Sequence, residues 1–464
     1  MDFRYKIGGL AGNVYGELRG YKRHTIWRQV NDNLKRSPDD LKREAARLFL
    51  HHVFDCMRRF PEYAKKVETH LGASPKPDAA IDPRDLPLWT KTDQNRLFAG
   101  LTAPPITGSW IHSTGGSTAT PVRFYISRPS YEWRMAVTSR GYAWAGAPLG
   151  RKAFHIWGLP TTKPGLQKRL KERVQFFLWQ RKVFDAYQKF DDDRKSLCCR
   201  MINAQQPETI VGYSSYLVEL ARFVRAHPQK LTWKAKVIVP AAEGLQPGQR
   251  ELLEENLGGE VSLSYGTREF GFIGMECRQH SGYHLASDNL FVEIVDERGM
   301  PVEPGEPGRV LVTDLRNAAT PFVRYALGDV AVMEPESRRC ACGLPFPVLR
   351  SVEGRTQDVL YLPNGEKLSA LFVSYVARQF QWIEGFQVVQ RARDHILLKL
   401  ISTVNLTPAL SDPVAEKLRG RLGMEMRIDF ERVNELTRTK SGKVAFVTNH
   451  SDRDRDKRPG ESQE

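Results

Sequence analysis

Between about residue 100 and residue 350, short β-type runs alternate with helical ones, and no other feature constrains the fold as much. PVRFYI precedes SYEWRMAVTSRGYAWA, ETIVGY precedes SYLVELARFVRAH, and AKVIVPA follows. Short apolar runs of this kind are strands buried on both faces, and their alternation with helices argues for an α/β architecture. LFVEIVDERGMPVEPGEPGRVLVTDL then reads as two strands flanking a Pro/Gly-rich turn, a β-rich subregion that closes the large domain.

A chain of 464 residues suggests two or three domains. In DLKREAARLFLHHVFDCMRRF, Leu41, Ala45, Leu48, Leu50 and Val53 recur mostly at threes and fours, so residues 1–100 are expected to form an N-terminal helical layer. Residues 101–354 form the core of the large domain. A composition break near GRTQD marks a hinge, and residues 355–450 form a smaller, mobile α+β domain in which GFQVVQRARDHILLKLI is a strand pair. The tail 451–464, SDRDRDKRPGESQE, has alternating charges and no apolar residue, and is expected to be disordered.

The formal charge of +15 creates a field that attracts polyanions: nucleic acid, anionic lipid, a nucleotide or coenzyme A. Nucleic acid is not the expected partner, because aromatic and basic residues do not interleave as a stacking platform needs. The one reading that keeps it is a catalytically dead, basic, zinc-containing binding protein. No apolar run approaches the roughly 18 residues that cross a bilayer, and MDFRYKIGGL lacks the apolar centre of a signal peptide. The expectation is a cytoplasmic protein without membrane insertion.

HSTGGSTATPV (112–122) lacks the G-x-x-x-x-G-K-[ST] pattern, and a strand rather than a helix follows it, which excludes a P-loop. Its backbone N–H and hydroxyl donors still suit a triphosphate, although a plain turn has the same composition. In SYGTREFG, Glu269 could hold Mg²⁺, or form a surface pair with Arg268. Asp329 in PFVRYALGDV could accept ribose hydroxyls or serve a turn, and Lys443 in RTKSGK follows a glycine turn. The six cysteines are too few for a disulfide framework, but Cys277 and His284 in ECRQHSGYH with Cys340 and Cys342 in RRCACG make a Cys₃His set suited to structural zinc. His280 is a rival for the fourth place.

The order of these stretches resembles the adenylate-forming superfamily of acyl-CoA synthetases and adenylation domains. Within it, the chain is most similar to the phenylacetate-CoA ligase branch with its capsular-polysaccharide-biosynthesis-type and coenzyme F390 synthetase relatives. HSTGGSTATP stands at the family's Ser/Thr/Gly-rich phosphate loop, PAAEGL (240–245) at its adenine-side segment, and SYGTRE at its Tyr-Gly-x-x-Glu element. PFVRYALGD, EGRTQD and RTKSGK stand at the ribose, hinge and catalytic-lysine motifs. ECRQHSGYH and CACG fall where members of the branch carry a zinc-like set.

The resemblance implies an AMP-forming ligase. A carboxylate, with aryl acids among the options, attacks the α-phosphate of ATP, pyrophosphate leaves, and the acyl group passes to an acceptor, by default the thiol of coenzyme A. Some relatives form an amide or stop at the nucleotidyl product. Ser113, Thr114, Gly116, Ser117 and Thr118 would cradle the β- and γ-phosphates, with Thr267 near the α-phosphate and Glu269 on Mg²⁺. Ala242 and Glu243 would line the adenine side, Tyr265 and Gly266 of the Tyr-Gly-x-x-Glu element would also bind the nucleotide, Asp329 would take the ribose, and Arg355 would belong to the hinge that swings the small domain. Lys443 would bridge the charge developing on the α-phosphate and the carboxylate oxygen. The chain departs from the pattern at Ala119 and Thr120, where the family has Gly and Lys, and at Gln357 in the hinge. Arg123 or magnesium would then take over the lysine's charge. GYSSY (212–216), Trp144 and Phe270 would line an acyl pocket, and the oligomeric state stays open, a homodimer being one option.

Overall fold

A computed structural model describes residues 23–76, 81–114, 121–158, 176–177, 179–186, 190–246, 248–355, 359–363, 367–370, 373, 376–377, 379–438, 444 and 447–449. It divides into two compact units, Met1–Gly244 with Leu253–Glu353, and Leu245–Leu252 with Gly354–Glu464.

The first unit begins with helices α1 (Arg23–Asp32), α2 (Pro38–Arg59), α3 (Pro61–Leu71) and α4 (Lys91–Gly100). Pro38 sits in the first turn of α2 and the Ser37 hydroxyl accepts from Asp40 N at 3.1 Å, so the chain starts this helix with a cap. The apolar stripe of α2 is Leu41, Ala45, Phe49, Val53 and Cys56. Phe49, not Leu48 or Leu50, occupies the buried position, because the stripe follows the 3.6-residue turn from Ala45 and leaves both leucines at its flanks.

Hairpin β1 (Trp110–Ser113) and β2 (Arg123–Ile126) leads into helix α5 (Arg128–Trp144). A five-stranded sheet follows, built from β3 (Ala153–Trp157), β4 (Arg181–Asp185), β5 (Thr209–Tyr213), β6 (Val237–Ala241) and β7 (Glu260–Val261), with helices α6 (Asp192–Gln205), α7 (Ser214–Ala226) and α8 (Gln249–Leu257) in the connections. All its pairs are parallel, in the order β4-β3-β5-β6-β7. Every residue of β5 and β6 is buried, as the apolar runs require. The strand order reverses between β3 and β5, and a parallel sheet presents a crevice beyond its carboxyl ends at such a point. Trp157, Tyr213 and Ala241 end the three central strands there.

The β-rich subregion is a seven-stranded sheet: β8 (Ser264–Thr267), β9 (Gly271–Glu276), β10 (Tyr283–Leu285), β11 (Leu290–Val295), β12 (Pro307–Asp314), β13 (Tyr325–Met333) and β14 (Val348–Arg355), in the order β11-β12-β13-β14-β10-β9-β8. The two strands foreseen around the Pro/Gly turn are β11 and β12, paired antiparallel. In the second unit, β15 (Val359–Tyr361) pairs with β16 (Lys367–Ser369). β17 (Ile383–Ala392), β18 (His395–Ser402), β19 (Arg427–Arg432) and β20 (Val447–Asn449) form a sheet in the order β19-β18-β17-β20, packed with helix α9 (Pro408–Leu422) through Val388, Leu398, Leu400, Val414 and Leu418. Among the described residues, no helix is long and apolar enough to cross a membrane.

Buried ion pairs tie helices to sheets in the first unit. The Arg134 guanidinium donates to Asp314 at 2.7 Å, and Arg140 donates to both carboxylate oxygens of Asp288 at 2.7 Å each. Asn33 adds a third bond to Asp288, at 2.7 Å. His52, on the stripe of α2, is held neutral by burial, which outweighs Asp314 and Asp55 and depresses its pKa to about 4. Between pH 6.5 and 4 the unfolded chain binds a proton at this ring that the folded chain refuses, so stability falls as the pH drops through that window, by roughly 3 kcal/mol at most. We expect His52→Met to reduce the slope of unfolding free energy against pH by close to one proton over that range in urea titrations. An unchanged slope would show that the ring protonates freely in the folded protein.

Candidate functional site

The glycine-rich stretch joins β1 to β2, whose last pair is Ser113 with Arg123. Beyond it Thr114 N donates to the Val122 carbonyl at 3.0 Å, and Val122 N donates to the Thr114 hydroxyl at 2.9 Å. Thr114 therefore pins the neck of the loop, and an accepting hydroxyl can still donate its own proton. Gly116, Ser117 and Thr118, with Ala119 and Thr120, lie outside the described residues.

The Tyr-Gly-Thr-Arg-Glu stretch forms β8 and its turn into β9. The register slips between Tyr265 and Gly266, and a Cβ at Gly266 would sit 2.4 Å from the Gly271 carbonyl oxygen, so only glycine lets the two backbones approach here. Tyr265 OH donates to Asp329 Oδ2 at 2.8 Å, with both side chains buried. Four steps of the sheet order separate β8 from β13, about 19 Å if the sheet were flat, so this bond requires the sheet to curl on itself. Thr267 Oγ1 accepts from Phe270 N at 3.3 Å. Glu269 is half-buried, and its charge, after burial, raises the pKa of the Tyr325 phenol on β13. Arg268 donates to the Ser113 carbonyl at 3.3 Å, which joins this turn to the glycine-rich hairpin. The contact of Arg268 with the hairpin replaces the surface pairing with Glu269 considered above.

At the end of β6, Ala242 adopts φ 70°, a left-handed conformation that costs a side-chain-bearing residue energy and collects at functional sites. Glu243 caps α7: its carboxylate accepts from Ser215 N at 2.9 Å and its carbonyl accepts from the Ser214 hydroxyl at 2.6 Å. An acidic group at a helix N-terminus satisfies an open donor and complements the dipole. Trp157 and Tyr213 stack beside this end of the sheet, ring centres 4.5 Å apart. Of the aromatic residues expected in an acyl pocket, Phe270 lies in the core and Trp144 is half-buried. Phe270 is fully buried against Phe322 and Tyr325, and Trp144 packs on Phe346 and the edge of His284. Arg355 ends β14, and Gln357 and Lys443 lie outside the described residues.

The sequence reading missed three groups. His112 stacks on Phe124, and its pKa is lowered by burial, then by Arg134 and Arg268. Arg134 stands behind the site in its ion pair with Asp314. Arg324 precedes β13 with φ 46°, binds Glu293 and donates to the carbonyls of Leu86 and Gly299 at 2.7 and 2.6 Å. An arginine inside an apolar strand motif, RYALGD, was the one available signal for the last of these.

The cysteine cluster lies where β9, β10 and β14 adjoin. Cys277 follows β9, His284 is on β10, and β10 pairs with both β9 and β14, which the loop carrying Cys340 and Cys342 precedes. The ligand atoms of Cys277, His284, Cys340 and Cys342 all lie within 4.8 Å of one another. Cys277 Sγ is 3.6 Å from Cys340 Sγ, and Cys342 Sγ is 3.2 Å from His284 Nε2. Sulfurs bound about 2.3 Å from one tetrahedral zinc lie about 3.8 Å apart, so the set fits that metal. Gln279 N and Leu344 N donate to Cys277 and Cys342, as thiolate ligands require. Burial pushes the Cys277 thiol up to about 12 and raises Cys342, whereas at Cys340 the Cys342 backbone and the surrounding hydrogen bonds outweigh burial and lower it. Burial also keeps His284 neutral, as a ligand must be. His280 turns to Glu276, its Nδ1 3.4 Å from the carboxylate, and stands apart from the set.

This architecture, a parallel crevice, a curled antiparallel sheet and a separate α+β unit, is shared with a solved acyl-CoA ligase. The structure resembles 2-hydroxyisobutyryl-CoA ligase in its postadenylation state with an acyl-AMP (TM-score 0.69, 19% identity, 88% of this chain and 89% of that one). It also resembles the same enzyme with 2-HIB-AMP and CoA in the thioesterification state (TM-score 0.60, 18% identity, 90% and 91%). In sequence the chain is 24% identical over 408 residues to Protein CapK of Staphylococcus aureus, covering 86% of this chain and 87% of that protein. It is 25% identical over 331 residues to the phenylacetate-coenzyme A ligase of Escherichia coli (strain K12), covering 68% and 70%. Residues 360–450 match the CapK C-terminal domain family. The chain is thus similar in sequence to CapK and to a phenylacetate-CoA ligase, and it shares its fold with a solved acyl-CoA ligase.

Proposed function

We propose that this protein activates a carboxylic acid with ATP and transfers the acyl group to the thiol of coenzyme A. A carboxylate oxygen attacks the α-phosphorus, the bond to the bridging oxygen breaks, and pyrophosphate leaves. The thiol then attacks the acyl carbon and AMP departs. The observation that supports this reading best is the meeting of sequence-distant stretches in the first unit: Arg268 on the Ser113 carbonyl, and Tyr265 on Asp329. Its relatives point the same way, since a named phenylacetate-coenzyme A ligase is among them.

In this reading Asp329, held by Tyr265, accepts the ribose hydroxyls, and the left-handed Ala242 with Glu243 shapes the adenine side. Ser113, Thr114 and the loop beyond face the β- and γ-phosphates, Thr267 lies toward the α-phosphate, and Glu269 ligates Mg²⁺. Such a step involves little covalent chemistry by the protein, so the donors act by being fixed where charge develops. Lys443 carries the catalytic-lysine role that RTKSGK implies. Cys277, His284, Cys340 and Cys342 hold a structural zinc, since four protein ligands leave no position for water.

Carboxylate-dependent exchange of labelled pyrophosphate into ATP, screened over aryl and alkyl acids, tests the reaction. We expect exchange with at least one acid and a loss of about a hundredfold or more in Lys443→Ala, the scale of removing one fixed transition-state charge partner. Full exchange in that variant would remove Lys443 from the chemistry. Metal analysis of protein purified without chelator is expected to return one zinc per chain, and none in Cys277→Ser with Cys342→Ser. Absence of stoichiometric zinc from the unaltered protein would dismiss the metal.

A further inference from the structure

The stretch HSTGGSTATPV contains no lysine or arginine, yet the triphosphate it would face is strongly anionic. Hydroxyls and backbone N–H groups can cradle such a group, but a fixed cation adds charge-assisted bonds roughly twice as strong. Two arginines adjoin the neck of the loop, Arg123 and Arg268, both exposed.

Strand alternation separates them. Ser113 and Arg123 are paired in the hairpin, and Ile111 shares their face, with 54% of its surface in solvent. His112 and Phe124 point to the other face, where Phe124 packs on Phe322 in the core that also holds Tyr265 and Tyr325. Arg123 therefore points away from the side on which Asp329 lies. Arg268 rises from the turn between Thr267 and Glu269, and its guanidinium reaches the Ser113 carbonyl at the neck of the loop, 3.3 Å away. One of its five N–H donors is spent on the Ser113 carbonyl. Among the described residues, no carboxylate pairs with it.

We propose that Arg268 is the phosphate-binding cation of this protein, taking the β- and γ-phosphates of ATP in place of a loop lysine. The proposal rests on the ligase reading above and adds a residue to it. The Ser113 bond holds the guanidinium at the neck of the loop, and the remaining donors form a planar fork that fits two phosphate oxygens. Arginine keeps its charge at any physiological pH, so the contact is constant.

Calorimetric titration with magnesium-ATP and, separately, with AMP tests this in the unaltered protein, Arg268→Ala, Arg268→Lys and Arg123→Ala. We expect Arg268→Ala to weaken ATP by tenfold or more while AMP changes less than threefold. Arg268→Lys should recover part of the ATP affinity, and Arg123→Ala should match the unaltered protein. Equal ATP affinity in Arg268→Ala and the unaltered protein would overturn the proposal and leave the ligase reading standing. Parallel loss of ATP and AMP would overturn it too, by showing that Arg268 supports the hairpin only. An unaltered protein that binds neither nucleotide would bring down the ligase reading, and the role of Arg268 with it.

Discussion

The hydrogen bond from Tyr265 to Asp329 fastens the edge strand β8 of a curled sheet to its interior strand β13, and the candidate site depends on that closure. Both side chains are buried, so losing either partner would leave a desolvated oxygen without its bond, a penalty of about 1–3 kcal/mol. The closure also fixes where Asp329 stands. Gly266 makes the curl possible by letting β8 press on the Gly271 carbonyl.

Around this fastening the parallel and antiparallel sheets divide the work. The parallel sheet contributes its carboxyl ends, where Glu243 caps the N-terminus of α7 and the adjacent Ala242 stands in a left-handed conformation. The curled sheet contributes the turn from Thr267 to Glu269, tied to the glycine-rich hairpin through Arg268. The cysteine cluster secures the far end of β9 and β10. Its histidine meets Trp144, and Trp144 lies under the Arg140 guanidinium that pairs with Asp288, so the cluster, helix α5 and the sheet form one packed region.

Much of this was legible in the sequence because it is carried by local patterns. Apolar runs such as ETIVGY and KVIVPA gave buried strands, and the Pro/Gly-rich turn gave the β11–β12 pair. The Cys₃His set was legible from residue type, although only the β9–β10 register separated His284 from His280. What long-range packing decides was not legible. Nothing in SYGTREFG distinguishes an Arg268 that reaches a strand 155 residues away from one that pairs with its neighbour. Phe270 has the composition of a pocket wall, and only the fold makes it core. The phase error between Leu48, Leu50 and Phe49 arose because three adjacent apolar residues satisfy helical spacing equally well.

The central claim is that these stretches surround one nucleotide, and a crystal structure of the protein soaked with AMP examines it most directly. The account predicts the ribose hydroxyls within hydrogen-bond distance of the Asp329 carboxylate and the adenine beside Ala242 and Glu243. AMP bound at another surface, with Asp329 contacting protein atoms alone, would contradict it.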